Sequence, residues 1–201
     1  MSELDRWETR FSGPGYAFGK EPAAFLKAQA HRLPASGKAL SIADGEGRNG
    51  VWLAERGLDV LAIDFSPTAL QKSRALAAER GVTLATELAD VMAWRWPAEA
   101  YDVIVAIFIQ FVTPAERSTL FDNMKHALKP GGLLLLHGYR PEQLRYRTGG
   151  PQEADHMYTR ALLEAAFGDM KQIEIFEHDS VVSEGSSHVG MSALIDLVAI
   201  K

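Results

Sequence analysis

The sequence predicts an α/β fold: a mostly parallel sheet with helices on both faces and an antiparallel hairpin at its end. Three observations predict it. From Lys38 onward, apolar runs alternate with helical patterns, and strands apolar on both faces belong to a parallel sheet covered on both sides. The first run leads straight into Gly45-Glu46-Gly47-Arg48-Asn49-Gly50, the tight turn at which an open α/β sheet holds a ligand. The last two runs, 171–178 and 189–200, are joined by a segment too short for a crossover helix, so one late strand runs antiparallel.

The N-terminal segment differs from the rest. Trp7, Phe11, Tyr16, Phe18 and Phe25 crowd a stretch that also holds Gly13-Pro14-Gly15 and Gly19. Residues 1–37 read as an arm or lid, with one helix over 22–31 turning Phe25 and Leu26 inward. Residues 38–201 form the core, and arm and core make one domain over 1–201. Strand 1 covers 39–43, and the helix after it carries Val51, Leu53 and Ala54 and stops at Gly57. Strand 2 covers 58–63 and ends at Asp64. Ser66 caps the next helix, Pro67 is its first residue and Gly81 its stop. Strand 3 covers 82–89 and ends at Asp90; 92–98, with Trp94 and Trp96, is a loop. Strand 4 covers 101–107, and Thr113-Pro114-Ala115-Glu116 is a capping box that opens a helix reaching 128. Lys129-Pro130-Gly131-Gly132 is a turn before strand 5 at 133–137. A polar loop fills 138–155, and Thr159 caps a helix that ends at Gly168. From Ser192 to Ile200 the last strand is apolar on both faces apart from Asp196, which suits a strand inserted between two others.

Composition narrows the function. Of 201 residues, 47% are hydrophobic and 23% charged, the balance of a folded chain. The absence of cysteine excludes disulfides, thiolate metal sites, iron–sulfur clusters and a thiol nucleophile, and it fits the reducing cytoplasm, the expected location. No H-E-x-x-H pattern exists and His156 and His178 lack ligand-spaced partners, so no metal is expected. The net charge of −5 argues against nucleic acid as a partner. No run nears the roughly 18 apolar residues of a membrane helix. The first ten residues are too charged for a signal peptide. A monomer or a homodimer is expected, since half-exposed aromatic arms pair.

The glycine turn carries the chemistry. Its glycines allow a tight bend and close approach of a ligand to the main chain. Asp64 at the tip of strand 2 can accept both hydroxyls of an adenosine ribose, and Asp90 at the tip of strand 3 lies where an adenine edge would sit. NAD(P) and S-adenosylmethionine both fit that much. A pyrophosphate needs a helix N-terminus free of negative charge, whereas Asp44 and Glu46 flank this turn. A sulfonium with an ammonium group is favoured beside them. The terminal hairpin, in place of a second β-α-β-α-β half, also favours S-adenosylmethionine.

The layout resembles a class I S-adenosylmethionine-dependent methyltransferase, in the branch similar to the tellurite-resistance and thiopurine methyltransferases. The resembling stretches are YAFGKEP at 16–22, LSIADGEGRNGVWLA at 40–54, AIDFSP at 62–67, LKPGG at 128–132 and RPEQLRYRTGGP at 140–151. The resemblance implies a three-layer Rossmann-like fold whose seven-stranded sheet has its last strand antiparallel, between strands 5 and 6. It implies that Gly45 and Gly47 contact the cofactor, that Asp64 holds the ribose, that Asp90 and Val91 read the adenine, and that Phe65, Leu70 and Ile107 pack around it. The family turn is D-x-G-x-G-x-G; here Ser41 stands at its acidic position and Ala43 at its first glycine. Asp44 or Glu46 is the candidate substitute that meets the methionine ammonium, beside Asn49. Arg10 and Tyr16 of the arm complete the cofactor candidates.

The expected reaction is in-line methyl transfer to a small molecule. A soft sulfur, selenium or tellurium nucleophile needs little base catalysis; oxygen or nitrogen acceptors call for a general base. Substrate-side candidates are Gln110, Phe111, His137, Tyr139, Arg140, Arg145, Tyr146, Arg147 and His188. No residue is assigned to catalysis. An NAD(P)-dependent oxidoreductase and a non-catalytic S-adenosylmethionine-binding regulator are the alternative readings.

Overall fold

The computed structural model describes residues 2–185 and 188–201. Its strands are β1 (Lys38–Ile42), β2 (Asp59–Asp64), β3 (Ala85–Leu88), β4 (Tyr101–Ile107), β5 (Leu128–Tyr139), β6 (Gln172–Glu184) and β7 (His188–Ile200). They form one sheet of seven strands in the order β3-β2-β1-β4-β5-β7-β6. Pairings among β1 to β5 are parallel. β7 lies between β5 and β6 and is antiparallel to both.

Alternation along the central strands explains the three layers. On β4, Val103, Val105 and Ile107 join Phe25, Leu26 and Leu53 on one face of the sheet. Ile104 and Ala106 join Leu120, Phe121 and Phe167 on the other. Each large aliphatic side chain buried this way is worth about 1.5–3 kcal/mol. The covering helices are α1 (Glu3–Phe11), α2 (Ala24–Ala28), α3 (Arg48–Glu55), α4 (Pro67–Arg80), α5 (Pro114–Ala127), α6 (Gln143–Tyr146) and α7 (Arg160–Phe167). Their ends follow the expected local chemistry. The Ser66 hydroxyl accepts from Ala69 N–H at the start of α4. Thr113 and Glu116 cap α5 reciprocally.

The differences from expectation lie at the sheet edges and the arm. The arm opens with a helix, α1, started by a Ser2–Asp5 capping box. The helix expected over 22–31 is shorter and breaks into α2 and a 3₁₀ turn, Ala30–Arg32. β3 keeps only four residues, because it is an edge strand paired on one side to β2. The turn at 129–132 is drawn into β5, with a register shift opposite Tyr101 and Val103. Most of the join expected at 179–188 is ladder instead: β6 runs to Glu184, which pairs with His188. Ser186 and Ser187 of that join lie outside the described residues. There a hydrogen-bonded ladder overrides a polar sequence, since one face of an edge hairpin stays in water. Among the described residues, no helix is long and apolar enough to cross a membrane.

Candidate functional site

The glycine turn, the ends of β2 and β4, and the loop after β3 open on a cleft of about 450 Å³. Asp64 ends β2 and is buried. Its Oδ2 accepts from Gly45 N–H at 2.8 Å and its Oδ1 from Ser66 N–H at 2.9 Å. Burial pushes its carboxyl upward, against those bonds. Asp90 accepts from Met92 N–H at 2.9 Å and lines the same cleft, with Val91 and Met92 beside it. Phe65 and Ile107 add apolar wall.

Asp44 has a different job from Asp64. Its Oδ1 accepts from the Ser41 hydroxyl at 2.6 Å, and both oxygens lie 3.1 Å from Gly50 N–H, within the first turn of α3. Burial raises its carboxyl to about 7 against these bonds. Asp44 thus places a carboxyl group against Ser41, the position where the acidic residue was expected. Gly50 is required here: a Cβ would stand 2.5 Å from Asp44 Oδ2. The cleft also holds two residues in left-handed backbone, Ala43 (φ 47°) and Phe108 (φ 56°), at the ends of β1 and β4. Such conformations store strain and cluster at functional sites.

The arm roofs the cleft. Trp7, Phe11 and Phe18 line it, with Trp7 stacked on Phe11 at 5.4 Å. Glu8 fastens this roof: it accepts from the Ser66 hydroxyl, and from the Thr68 hydroxyl at 2.6 Å. Those two residues begin α4, so a carboxylate there also suits the helix dipole.

Of the cofactor-side candidates, Ala43, Asp44, Gly45, Asn49, Asp64, Phe65, Asp90, Val91 and Ile107 line the cleft. The others stand elsewhere. Glu46 does not face it, because its oxygens take Ala17 N–H at 2.6 Å and Lys72 Nζ at 2.9 Å. Gly47 packs against α4; a Cβ there would fall 2.4 Å from Ser73 Oγ, so its glycine serves helix packing. Leu70 is buried in the core. Tyr16 donates to the Lys72 carbonyl. The Arg10 guanidinium lies over Trp7 and Phe18, outside the lining.

The substrate-side candidates are mostly structural. Gln110 clamps the Tyr139 backbone from both sides, at 2.9 and 2.6 Å. Arg140 donates to the Leu194 carbonyl and to Asp179, which also holds the Tyr146 hydroxyl. Tyr139 is buried, and burial raises its hydroxyl pKa. Arg145 and Arg147 are exposed and stand off the cleft lining. His137 Nδ1 donates to Asp196 Oδ1 at 2.5 Å, and the ring borders a second cavity, between the arm and the β6–β7 hairpin. Phe111 and His188 do line the cleft. Sequence reasoning missed Glu3, Arg48, Phe108 and Glu116 there. Arg48 alone had a local signal, its place inside the glycine turn.

A family model described as a methyltransferase domain matches residues 39–132. A 2-heptyl-1-hydroxyquinolin-4(1H)-one methyltransferase of Mycobacteroides abscessus is 34% identical over 96 residues, 47% of this chain and 37% of that protein. A tRNA N(3)-cytidine methyltransferase of Xenopus tropicalis is 31% identical over 133 residues, 62% of this chain and 37% of that one. The chain spans between about a third and a half of the length of the curated relatives it matches. The solved N-methyltransferase NodS from Bradyrhizobium japonicum, in complex with S-adenosylhomocysteine, superposes with a TM-score of 0.73 at 16% identity, over 98% of this chain and 97% of that one.

Proposed function

On a chain that has the class I methyltransferase fold and carries a methyltransferase domain at 39–132, we propose that the cleft binds S-adenosylmethionine and that the protein transfers its methyl group to a small-molecule acceptor. One observation carries the reading: Asp64, Asp90 and the Gly45 bend converge on a single roofed cleft. The donor set fits the cofactor. Asp64 retains lone pairs for ribose hydroxyls, Asp90 with Val91 suits an adenine edge, and Phe65 and Ile107 suit its faces. Bound there, the cofactor supplies an already activated methyl on a cationic sulfur. The chain's part is to orient the acceptor on the methyl axis and to keep water out, which the Trp7–Phe11–Phe18 roof does. Tyr16, Glu46 and Gly47 contribute from behind this surface, by holding the arm and the α3–α4 contact; Arg10 lies over the rings of the arm and Leu70 fills the core.

A dinucleotide is disfavoured by Asp44. Its carboxylate already takes the Gly50 amide in the first turn of α3, where a pyrophosphate would dock. The enclosed aromatic roof supports a small acceptor over a nucleic acid, as does the net charge of −5. A monomer or homodimer working in the cytoplasm completes the reading.

Calorimetric titration of the full chain with S-adenosylhomocysteine and with NAD tests the cofactor. S-adenosylhomocysteine should bind and NAD should not; the reverse outcome sinks the proposal. Transfer of labelled methyl is then followed on thiols, selenite, tellurite, amines, phenols and bulk tRNA. Binding without any transfer would turn the reading to the regulator.

A further inference from the structure

We propose that His188 is the general base of the cleft and that the acceptor is an apolar or aromatic molecule bearing an O–H or N–H. This rests on the methyl-transfer reading of the same cleft.

The side chain of His188 is well defined by its neighbours. Its ring lies 4.5 Å from Phe18, 4.5 Å from Phe108 and 6.0 Å from Tyr139, and it lines the cleft with Phe18 and Phe108. Three aromatic rings leave it little freedom. The strained backbone at Phe108 sets one of them. Nδ1 stands 3.6 Å from Glu184 Oε2, on the same hairpin. Glu184 is in turn held by Arg48 of α3 at 2.8 Å, an ion pair with both side chains largely buried. The 3.6 Å separation of Nδ1 from Glu184 is within ion-pair reach but longer than a hydrogen bond, and Nδ1 has no hydrogen-bond partner among the described residues; with the ring proton on Nδ1, toward the carboxylate, Nε2 keeps the lone pair that takes a proton. The aromatic lining of Trp7, Phe11, Phe18, Phe108 and Phe111 gives an apolar acceptor its wall.

The charged groups acting on the ring pull both ways. Burial and the cations Arg48 and Arg10 favour the neutral imidazole, and Glu184 favours the charged one; the balance lies below the ordinary histidine value. The ring is therefore neutral at pH 7 and ready to accept. In the transfer, the acceptor's O–H or N–H proton passes to Nε2 while the new carbon–oxygen or carbon–nitrogen bond forms. The carbon–sulfur bond breaks with its electron pair left on sulfur, so the cationic sulfonium becomes a neutral thioether. The proton leaves His188 for solvent. Glu184 and Arg48 are positioning residues.

The test is His188→Gln in the full chain, with three readouts. S-adenosylhomocysteine affinity should stay within about twofold. With a phenol or amine acceptor, kcat should fall about 10²–10⁴-fold, and a thiolate acceptor, which carries no proton, should lose far less. In the wild type without cofactor, an NMR titration of the His188 ring should give a pKa below 6.5, and kcat/KM should rise through that midpoint; the variant's profile should be flat there. Equal kcat in the variant, or equal losses on both acceptor types, overturns the proposal. If the variant does not fold, the wild-type titration and rate profile decide, and midpoints that disagree overturn it. Failure of the wild type to bind S-adenosylhomocysteine overturns the underlying methyl-transfer reading instead, and this one with it.

Discussion

Asp64 Oδ2 accepts a 2.8 Å hydrogen bond from Gly45 N–H. The residue that ends β2 is thereby tied to the bend that follows β1. The bond fixes the carboxylate where the two strands meet and orients its remaining lone pairs. Asp64→Ala should remove that anchor and weaken S-adenosylhomocysteine binding by tenfold or more, with thermal stability changing by about 1–3 kcal/mol from the amide left unpaired. Calorimetry on the purified variant checks it, and wild-type affinity would show that the ribose is held elsewhere.

Asp44 makes stability depend on pH. Its carboxyl titrates at about 7 in the fold, against 3.8 as a free side chain. Between those values the folded chain holds a proton that the unfolded chain has lost. Stability contributed by this site is thus greatest at low pH and falls as pH rises from about 4 to 7. Asp44→Asn should flatten that slope. Urea unfolding at pH 5 and pH 7.5 measures it; equal slopes in both proteins would rule the assignment out.

Ala43 stands with φ 47°, a conformation that costs a non-glycine residue about 1–2 kcal/mol. Glycine removes that strain and costs about 0.5–1 kcal/mol in unfolded-chain entropy. Ala43→Gly should therefore stabilise slightly, by about 0.5–1 kcal/mol. Chemical denaturation gives the number, and a loss of stability would place the strain elsewhere.

Glu8 latches the arm to the start of α4 through Ser66 and Thr68. Glu8→Ala should leave the core intact and speed release of S-adenosylhomocysteine severalfold, because the Trp7–Phe11 roof loses its tie. Stopped-flow dissociation tests this. An unchanged off-rate would mean that the aromatic packing alone holds the roof.

Gly47 was legible as a member of the glycine pattern, but its close approach to α4 was not. A Cβ there would fall 2.4 Å from Ser73 Oγ and 2.7 Å from Ser73 Cα, on a backbone at φ 94°, so Gly47→Ala should cost several kcal/mol through displaced helices and backbone strain together. Urea unfolding reads that cost, and a loss under about 1 kcal/mol would show that α3 and α4 separate easily. Glu46 was legible as an acid beside the turn, but its direction depends on Lys72 and Ala17, which arrive from other segments. His188 was one candidate among many until the hairpin register set it opposite Glu184.

What the sequence determined by itself are the features set by near neighbours. Periodic apolar runs made the strands, Ser66 and Thr113 made helix starts, and the glycine spacing marked the bend, since each depends on a few adjacent residues. Only the tertiary structure decided which acid faces the cleft, that Asp44 reaches back to Ser41, and that α1 folds over the opening. Those outcomes depend on distances between segments far apart in the chain. A polar side chain takes whichever buried partner the packed fold brings within reach, because an unpaired one costs more than a local preference can return.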